Sequence, residues 1–144
     1  MAKLVKGDKF PDFTVDTHMK KGVKISQIVD GKPTALLVIR YIGCTVCRYD
    51  VHQIAVNYQK FVDRGLNVAV VMQSTAENVN KDLERTKETL PYPIVCDPEE
   101  KIYKELEILP AESMEALVGG DMAGLQAKGA RAAQRGYVHG EYEG

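Results

Sequence analysis

Two stretches of the chain are apolar with almost no polar alternation: Thr34-Ala35-Leu36-Leu37-Val38-Ile39-Arg40-Tyr41 and Leu66-Asn67-Val68-Ala69-Val70-Val71-Met72. A strand with one face in water alternates apolar and polar residues. Unbroken runs therefore predict strands covered on both faces, as in a parallel sheet. Between the two runs the spacing becomes helical. Cys47, Val51, Ile54, Ala55, Tyr58, Phe61 and Val62 fall on one stripe, and Gly65 after Arg64 reads as a C-terminal cap. Strand, helix and strand in that order predict a βαβ unit, with the Thr34 run as the central strand.

The flanking sequence extends this pattern. Phe13-Thr14-Val15-Asp16, a turn-like His18-Met19-Lys20-Lys21-Gly22 and Val23-Lys24-Ile25 predict a β-hairpin between Phe13 and Ile28. Ser74 and Glu77 form a candidate capping box for a helix from Ala76 to Leu90, ended by Pro91-Tyr92-Pro93. Ile94-Val95-Cys96 reads as a third short strand, and Asp97-Pro98-Glu99-Glu100 as the start of a helix reaching Ile108. Past Pro110, the spacing of Met114, Leu117, Val118, Met122 and Leu125 predicts one or two short helices broken by Gly119-Gly120. The fold class is α/β.

Composition narrows the function. With 144 residues and 44% apolar content, a single domain over 1–144 is expected. Nineteen basic and twenty acidic residues give a net charge of -1, and no run of Lys or Arg could neutralise a row of phosphates, so nucleic acid is not an expected partner. The Met1 to Asp8 segment has no apolar signal-like core and no apolar run is long enough to cross a bilayer, which predicts a cytoplasmic protein without a membrane partner. Three cysteines, two of them in Cys44-Thr45-Val46-Cys47, do not make a disulfide scaffold. In a reducing compartment such a pair reads as redox-active or metal-binding.

The pair falls where the first buried strand ends and its helix begins, at the carboxyl edge of the predicted sheet, where open α/β folds place their sites. A thiol attacks only as its thiolate, and the free N–H groups and positive dipole end of a helix favour that charge. Arg40 and Arg48 flank the pair as candidate thiolate stabilisers. Cys47 lies one turn before Val51 on the core stripe, whereas Cys44, at the start of the helix, is expected nearer solvent. A zinc site would need a second ligand pair, but Cys96 is alone and His18, His52 and His139 are scattered, so no metal is expected. Cys96, within an apolar strand, reads as a packing residue, and Tyr41 and Tyr49 likewise. His52 is expected at the solvated surface.

Three segments together resemble the peroxiredoxin-like branch of the alkyl hydroperoxide reductase and thiol-specific antioxidant (AhpC/TSA) family. They are Gly7-Asp8-Lys9-Phe10-Pro11-Asp12-Phe13, Arg40-Tyr41-Ile42-Gly43-Cys44-Thr45-Val46-Cys47-Arg48 and Leu90-Pro91-Tyr92-Pro93-Ile94-Val95-Cys96-Asp97-Pro98, and the likeness covers about the first 108 positions. The resemblance implies a thioredoxin-like fold with an N-terminal β-hairpin and reduction of peroxides, or disulfide exchange, through cysteine. Against the family pattern Pro-x-x-x-Thr/Ser-x-x-Cys, the attacking thiol falls on Cys47, the Thr/Ser position on Cys44 and the proline position on Arg40. The late-strand arginine of the family has no counterpart, since Arg131 and Arg135 are not in such a strand. Nor does the chain show the family's C-terminal strand pair and closing helix, so a C-terminally shortened domain is expected.

These readings predict a thiol-dependent oxidoreductase cycling Cys44 and Cys47 between dithiol and disulfide, with no organic cofactor. The expected partners are a peroxide or disulfide substrate and a thioredoxin-type or small-thiol reductant. Cys47 is expected to attack peroxide and Cys44 to attack disulfides. An uncovered strand edge predicts a homodimer. The alternative is a non-catalytic redox-sensing or binding module, in which the pair oxidises once as a switch.

Overall fold

A computed structural model describes residues 3–110, 113 and 119–137. Five strands form one mixed sheet in the order β2-β1-β5-β4-β3. The N-terminal hairpin is present: β1 (Thr14–Thr17) pairs antiparallel with β2 (Val23–Lys24). The Thr17 hydroxyl tightens its turn by accepting the N–H groups of Met19 and Lys20. β1 also runs antiparallel to β5 (Ile94–Cys96), while β3 (Thr34–Val38), β4 (Asn67–Met72) and β5 are mutually parallel. This is the α/β, thioredoxin-like architecture with its N-terminal hairpin.

The centre of the sheet differs from the sequence expectation. β4, not β3, is flanked on both sides, and among the described residues β3 is an edge strand. Val68 to Met72 of β4 are at most 2% exposed, whereas every residue of β3 is only half-buried. An unbroken apolar run reports coverage of a strand's two faces and carries no information on how many of its edges are paired.

Helices cover both faces. On one, Val68, Val70 and Met72 of β4 and Ile94 and Cys96 of β5 pack with Val51 and Ile54 of α2 (Thr45–Val56), Phe61 of α3 (Tyr58–Val62), and Val79 and Leu83 of α4 (Ala76–Thr86). On the other, Val71 and Val95 meet Ile25 of α1 (Ile25–Val29) and Ile102 and Tyr103 of α5 (Lys101–Glu105). The alternation of Val70, Val71 and Met72 between the two layers is the period of a strand. Each such buried aliphatic side chain contributes about 1.5–3 kcal/mol. The last described helix, α6 (Met122–Gln134), packs against α2.

Several boundaries differ from the sequence expectations. The long helix after Cys44 is interrupted at Asn57, whose side-chain amide donates to the carbonyl of Gln53, a local bond that competes with helix propagation. The cap of α4 is Thr75, accepting the N–H of Asn78, and not Ser74. That helix stops at Thr86 instead of Leu90, because Lys87 takes a left-handed conformation and the Glu88 N–H turns back to Leu83. α5 begins at Lys101 and ends at Glu105. Asp97 still serves it, accepting the N–H groups of Lys101 and Ile102. Gly119 and Gly120 form a turn before α6, whose N-cap is Asp121. Met114, Leu117 and Val118 lie outside the described residues, as does the stretch from Val138 onward.

Candidate active site

The segment from Arg40 to Cys44 carries the chain from the end of β3 to α2 and is held from several directions. The Arg40 carbonyl accepts the N–H of Gln73 at 2.6 Å, and the Cys44 N–H donates to the Tyr41 carbonyl at 3.1 Å. Ile42, 1% exposed, donates its N–H at 2.8 Å to the hydroxyl of the fully buried Ser74. Ser74, read in the sequence as part of a helix cap, therefore anchors the cysteine loop to the end of β4. Cys44 then takes the N-cap position of α2 and Cys47 lies in its first turn, so both sulfurs sit where the N–H groups of the helix are unpaired.

Both cysteines are buried, Cys44 at 5% and Cys47 at 8% exposure, so Cys44 is not the solvent-facing member expected from the sequence. Its neighbours Tyr41 and Ile42 are buried in the same core cluster. The thiols are free, as is Cys96.

Electrostatically the two sulfurs are unlike. The neighbouring Cys47 side chain is the main cause holding the Cys44 thiol well below the ordinary range. Burial opposes it, while the N–H groups of Cys47 and Val46 and the charge of Arg40 reinforce it. Arg40 Nη1 stands 3.8 Å from the Cys44 sulfur, and its guanidinium lies 5.1 Å from the Tyr41 ring centroid. Cys47 moves the opposite way: the Cys44 side chain, burial and the Cys44 charge all raise it, against the backbone and charge of Arg40. The two thiols are thus shifted in opposite directions, Cys44 down and Cys47 up. Cys96 is buried on β5, accompanied by the charge of Asp16, and is pushed up to about 12.

Of the two flanking arginines, the fold brings only Arg40 to a sulfur. Arg48, 1% exposed, directs Nε to Asp82 at 2.5 Å and Nη2 to Glu88 and, at 3.1 Å, to Thr86. Its guanidinium lies 4.4 Å from the Tyr137 ring centroid. Arg135 and the Tyr137 hydroxyl also reach Glu88, at 2.8 and 2.7 Å, tying the end of α6 to the turn after α4. Burial works to raise the Glu88 carboxyl, but the hydrogen bonds from Arg135, Arg48 and Tyr137 hold it down at about 2. His52 joins this cluster, with Nδ1 3.5 Å from Glu88 and a half-buried side chain, and is not the solvated histidine expected. Nothing in the local sequence marks Arg48 as a buried ion-pair residue, since its partners lie 34 to 40 positions away. Among the described residues no three potential metal ligands converge, and no helix is long and apolar enough to cross a membrane.

A cysteine pair at the first turn of the helix that follows a parallel strand, on a thioredoxin-like sheet, defines a protein of the thioredoxin-like superfamily. The sequence matches the AhpC/TSA family over residues 6–130, and the chain belongs to that family. No curated protein matches it. Its fold is similar to that of peroxiredoxin 6 of Arenicola marina, solved as a cysteine-to-serine mutant, with 18% identity and a TM-score of 0.66 over 72% of this chain and 50% of that one. A yeast mitochondrial 1-Cys peroxiredoxin gives 18% identity and a TM-score of 0.66 over 74% and 52%. StoA from Bacillus subtilis gives 20% and 0.51 over 71% and 75%. The chain spans about half the length of the two peroxiredoxins.

Proposed function

We propose that the chain is a thiol-dependent oxidoreductase that reduces a peroxide, or exchanges a disulfide, through Cys44 and Cys47. The observation that carries this reading is the placing of the Cys44 sulfur at the N-cap of α2, 3.8 Å from Arg40 Nη1, with Cys47 in the first turn of the same helix. It holds a nucleophile and a resolving thiol side by side at neutral pH. The Cys44 thiolate attacks the peroxide, giving a sulfenic acid and releasing the alcohol, or water from hydrogen peroxide. The Cys47 thiol then condenses with the sulfenic acid, forming the disulfide and a second water. This order reverses the expectation, taken from the family motif, that Cys47 meets peroxide first.

Returning the disulfide to two thiols requires an external dithiol or two thiols. A thioredoxin-type or small-thiol reductant suits that step, and the yeast 1-Cys peroxiredoxin is resolved via glutathione/thioredoxin systems. No organic cofactor enters the cycle, and a reducing, cytoplasmic setting suits it. The edge of β3, unpaired among the described residues, suits a homodimer. Burial of both sulfurs favours a second reading, a sensor that oxidises once. Thiol counting before and after one equivalent of hydrogen peroxide, followed by steady-state assay with a dithiol, tests both. Loss of two thiols with repeated turnover supports the enzyme, loss of two without turnover the sensor, and loss of none overturns either.

A further inference from the structure

Arg40 is the exposed residue of the cysteine loop, and Tyr41, Ile42, Gly43 and Cys44 after it are all buried. Its backbone and its side chain are both held. The carbonyl accepts the Gln73 N–H at 2.6 Å, and the guanidinium carbon lies 5.1 Å from the ring centroid of the buried Tyr41. A cation over an aromatic face is attracted to it, which limits where the guanidinium turns. From there Nη1 reaches the Cys44 sulfur at 3.8 Å. One contact occupies little of a group with five N–H donors. Arg48, Arg85 and Arg135 each pair with Asp82 or Glu88, whereas Arg40 pairs with no carboxylate among the described residues. An exposed, positioned cation without a carboxylate partner therefore stands beside the sulfur, at a place where the proline of the family pattern would carry no charge.

We propose that Arg40 is a specificity-determining residue, selecting small oxidants that carry a carboxylate beside the reacting atom and binding that group through the donors that Cys44 leaves free. The proposal deepens the functional reading and rests on Cys44 being the attacking sulfur. The planar guanidinium fork suits a carboxylate, which takes two parallel N–H groups at about 2.7–2.9 Å. A thiolate repels an approaching anion, so an acidic oxidant needs a cation at the point of entry. Once bound, the carboxylate also orients the reacting atom toward the sulfur 3.8 Å from Nη1. With an acidic disulfide, the Cys44 thiolate attacks one sulfur, the S–S bond breaks and one acidic thiolate leaves. Cys47 then gives its proton to the second thiolate as the Cys44–Cys47 bond closes. With an acidic hydroperoxide, the O–O bond breaks and one oxygen stays on Cys44 as a sulfenic acid. The leaving alkoxide takes a proton from water and keeps its carboxylate.

The test compares iodoacetate with iodoacetamide, which differ only in bearing a carboxylate or an amide, as labels of Cys44 in the full reduced chain, resolved by peptide. Both react with the thiolate, so their rate ratio at one pH is independent of how much thiolate is present. At low salt the iodoacetate-to-iodoacetamide ratio at Cys44 should exceed that of N-acetylcysteine amide by about two- to fivefold. Arg40→Gln should bring it down to that reference, and Arg40→Lys, which keeps the charge without the fork, should retain part of the excess. Raising the salt should also lower the wild-type ratio, an arm that needs no substitution and stands if a variant folds poorly. A ratio at or below the reference, or one that neither Arg40→Gln nor salt moves, overturns the proposal. Rates of oxidation then distinguish the oxidants, with dithiodiglycolate set against 2-hydroxyethyl disulfide and monoperoxysuccinate against peracetic acid. An Arg40-dependent advantage of the acidic member in the first pair assigns disulfides and in the second peroxides; an advantage in neither overturns the proposal. Labelling needs no turnover, so a raised ratio in a chain without turnover overturns the functional reading alone, and turnover with a ratio at the reference overturns the role of Arg40 alone.

Discussion

Arg40 Nη1 stands 3.8 Å from the sulfur of Cys44, four residues further along the chain, and its charge is one of the causes that hold that thiol low. A thiol whose pKa is depressed keeps its thiolate, and its reactivity, down to a pH well below the ordinary thiol value of about 8.5. Wild-type Cys44 should therefore label at a nearly constant rate across neutral pH, declining only in the acid range. Arg40→Gln should raise the midpoint and slow labelling near pH 6 by about three- to tenfold, measured with a small alkylating reagent. A profile unchanged by the substitution would remove Arg40 from the site.

The division of labour between the two sulfurs predicts unequal variants. Cys47→Ser should leave Cys44 able to reduce one equivalent of peroxide and stop at a sulfenic acid, which dimedone traps and mass spectrometry places at Cys44. Cys44→Ser should react with peroxide no faster than an ordinary buried thiol. The opposite pattern, with the trapped adduct on Cys47, would restore the assignment drawn from the family motif.

Ser74→Ala strips a partner from the Ile42 N–H, which is buried and cannot turn to water. Leaving such a donor unpaired costs about 1–3 kcal/mol. Denaturant unfolding should show a loss of that size, and chain cleavage between Arg40 and Cys44 by a dilute protease should become faster. Stability within error of wild type would mean that the loop is held without this contact.

The Arg48 cluster should matter for stability and not for thiol reactivity. Arg48→Ala takes from the buried Asp82 its cation at 2.5 Å and leaves it Arg85 at 3.7 Å, a loss of up to about 3–5 kcal/mol, with the Cys44 labelling midpoint unmoved. Glu88 adds a pH dependence. Its folded pKa, held down at about 2, lies below the ordinary glutamate value of about 4.3, so its charge stabilises the fold above that value and the contribution is lost as pH falls toward 2. Wild type should exceed Glu88→Gln in stability by a constant margin above about pH 5, a margin that closes between about pH 4 and 2. Urea titrations across that range would show it, and a margin independent of pH would contradict the ion-pair reading.

What the sequence revealed follows from the range over which each signal acts. The βαβ order, the hairpin, the strand Ile94–Cys96 and the position of the cysteine pair depend on periodicity and punctuation within a few residues, and all are present in the structure. The place of β3 at an edge was hidden because Leu36, Leu37 and Val38 are apolar for the sake of the two faces, whatever lies beside them. The same limit concealed Arg48. Next to Cys47 it reads as a cation for the thiolate, and only the approach of Asp82, Thr86 and Glu88 from α4 and the turn after it turns its guanidinium elsewhere. Ser74 failed for a related reason: Thr75, one residue on, is an equally good cap, and which of the two hydroxyls serves α4 is decided by the buried N–H of Ile42 waiting across the sheet end.

The hydrogen bonds that hold residues 40–44 to Gln73 and Ser74 bear on what can oxidise this chain. On the proposed function, hydrogen peroxide would be small enough to arrive by brief, shallow fluctuations of Tyr41 and Ile42. A protein disulfide must first peel the segment from the end of β4, exposing a buried amide and forfeiting the bonds that keep it in place. On the proposed function, discrimination between oxidants would then reside in the stiffness of a stretch of backbone and not in the outline of a binding pocket, so a substitution that slackens the loop would widen the range of acceptable oxidants while leaving the sulfur chemistry as it is.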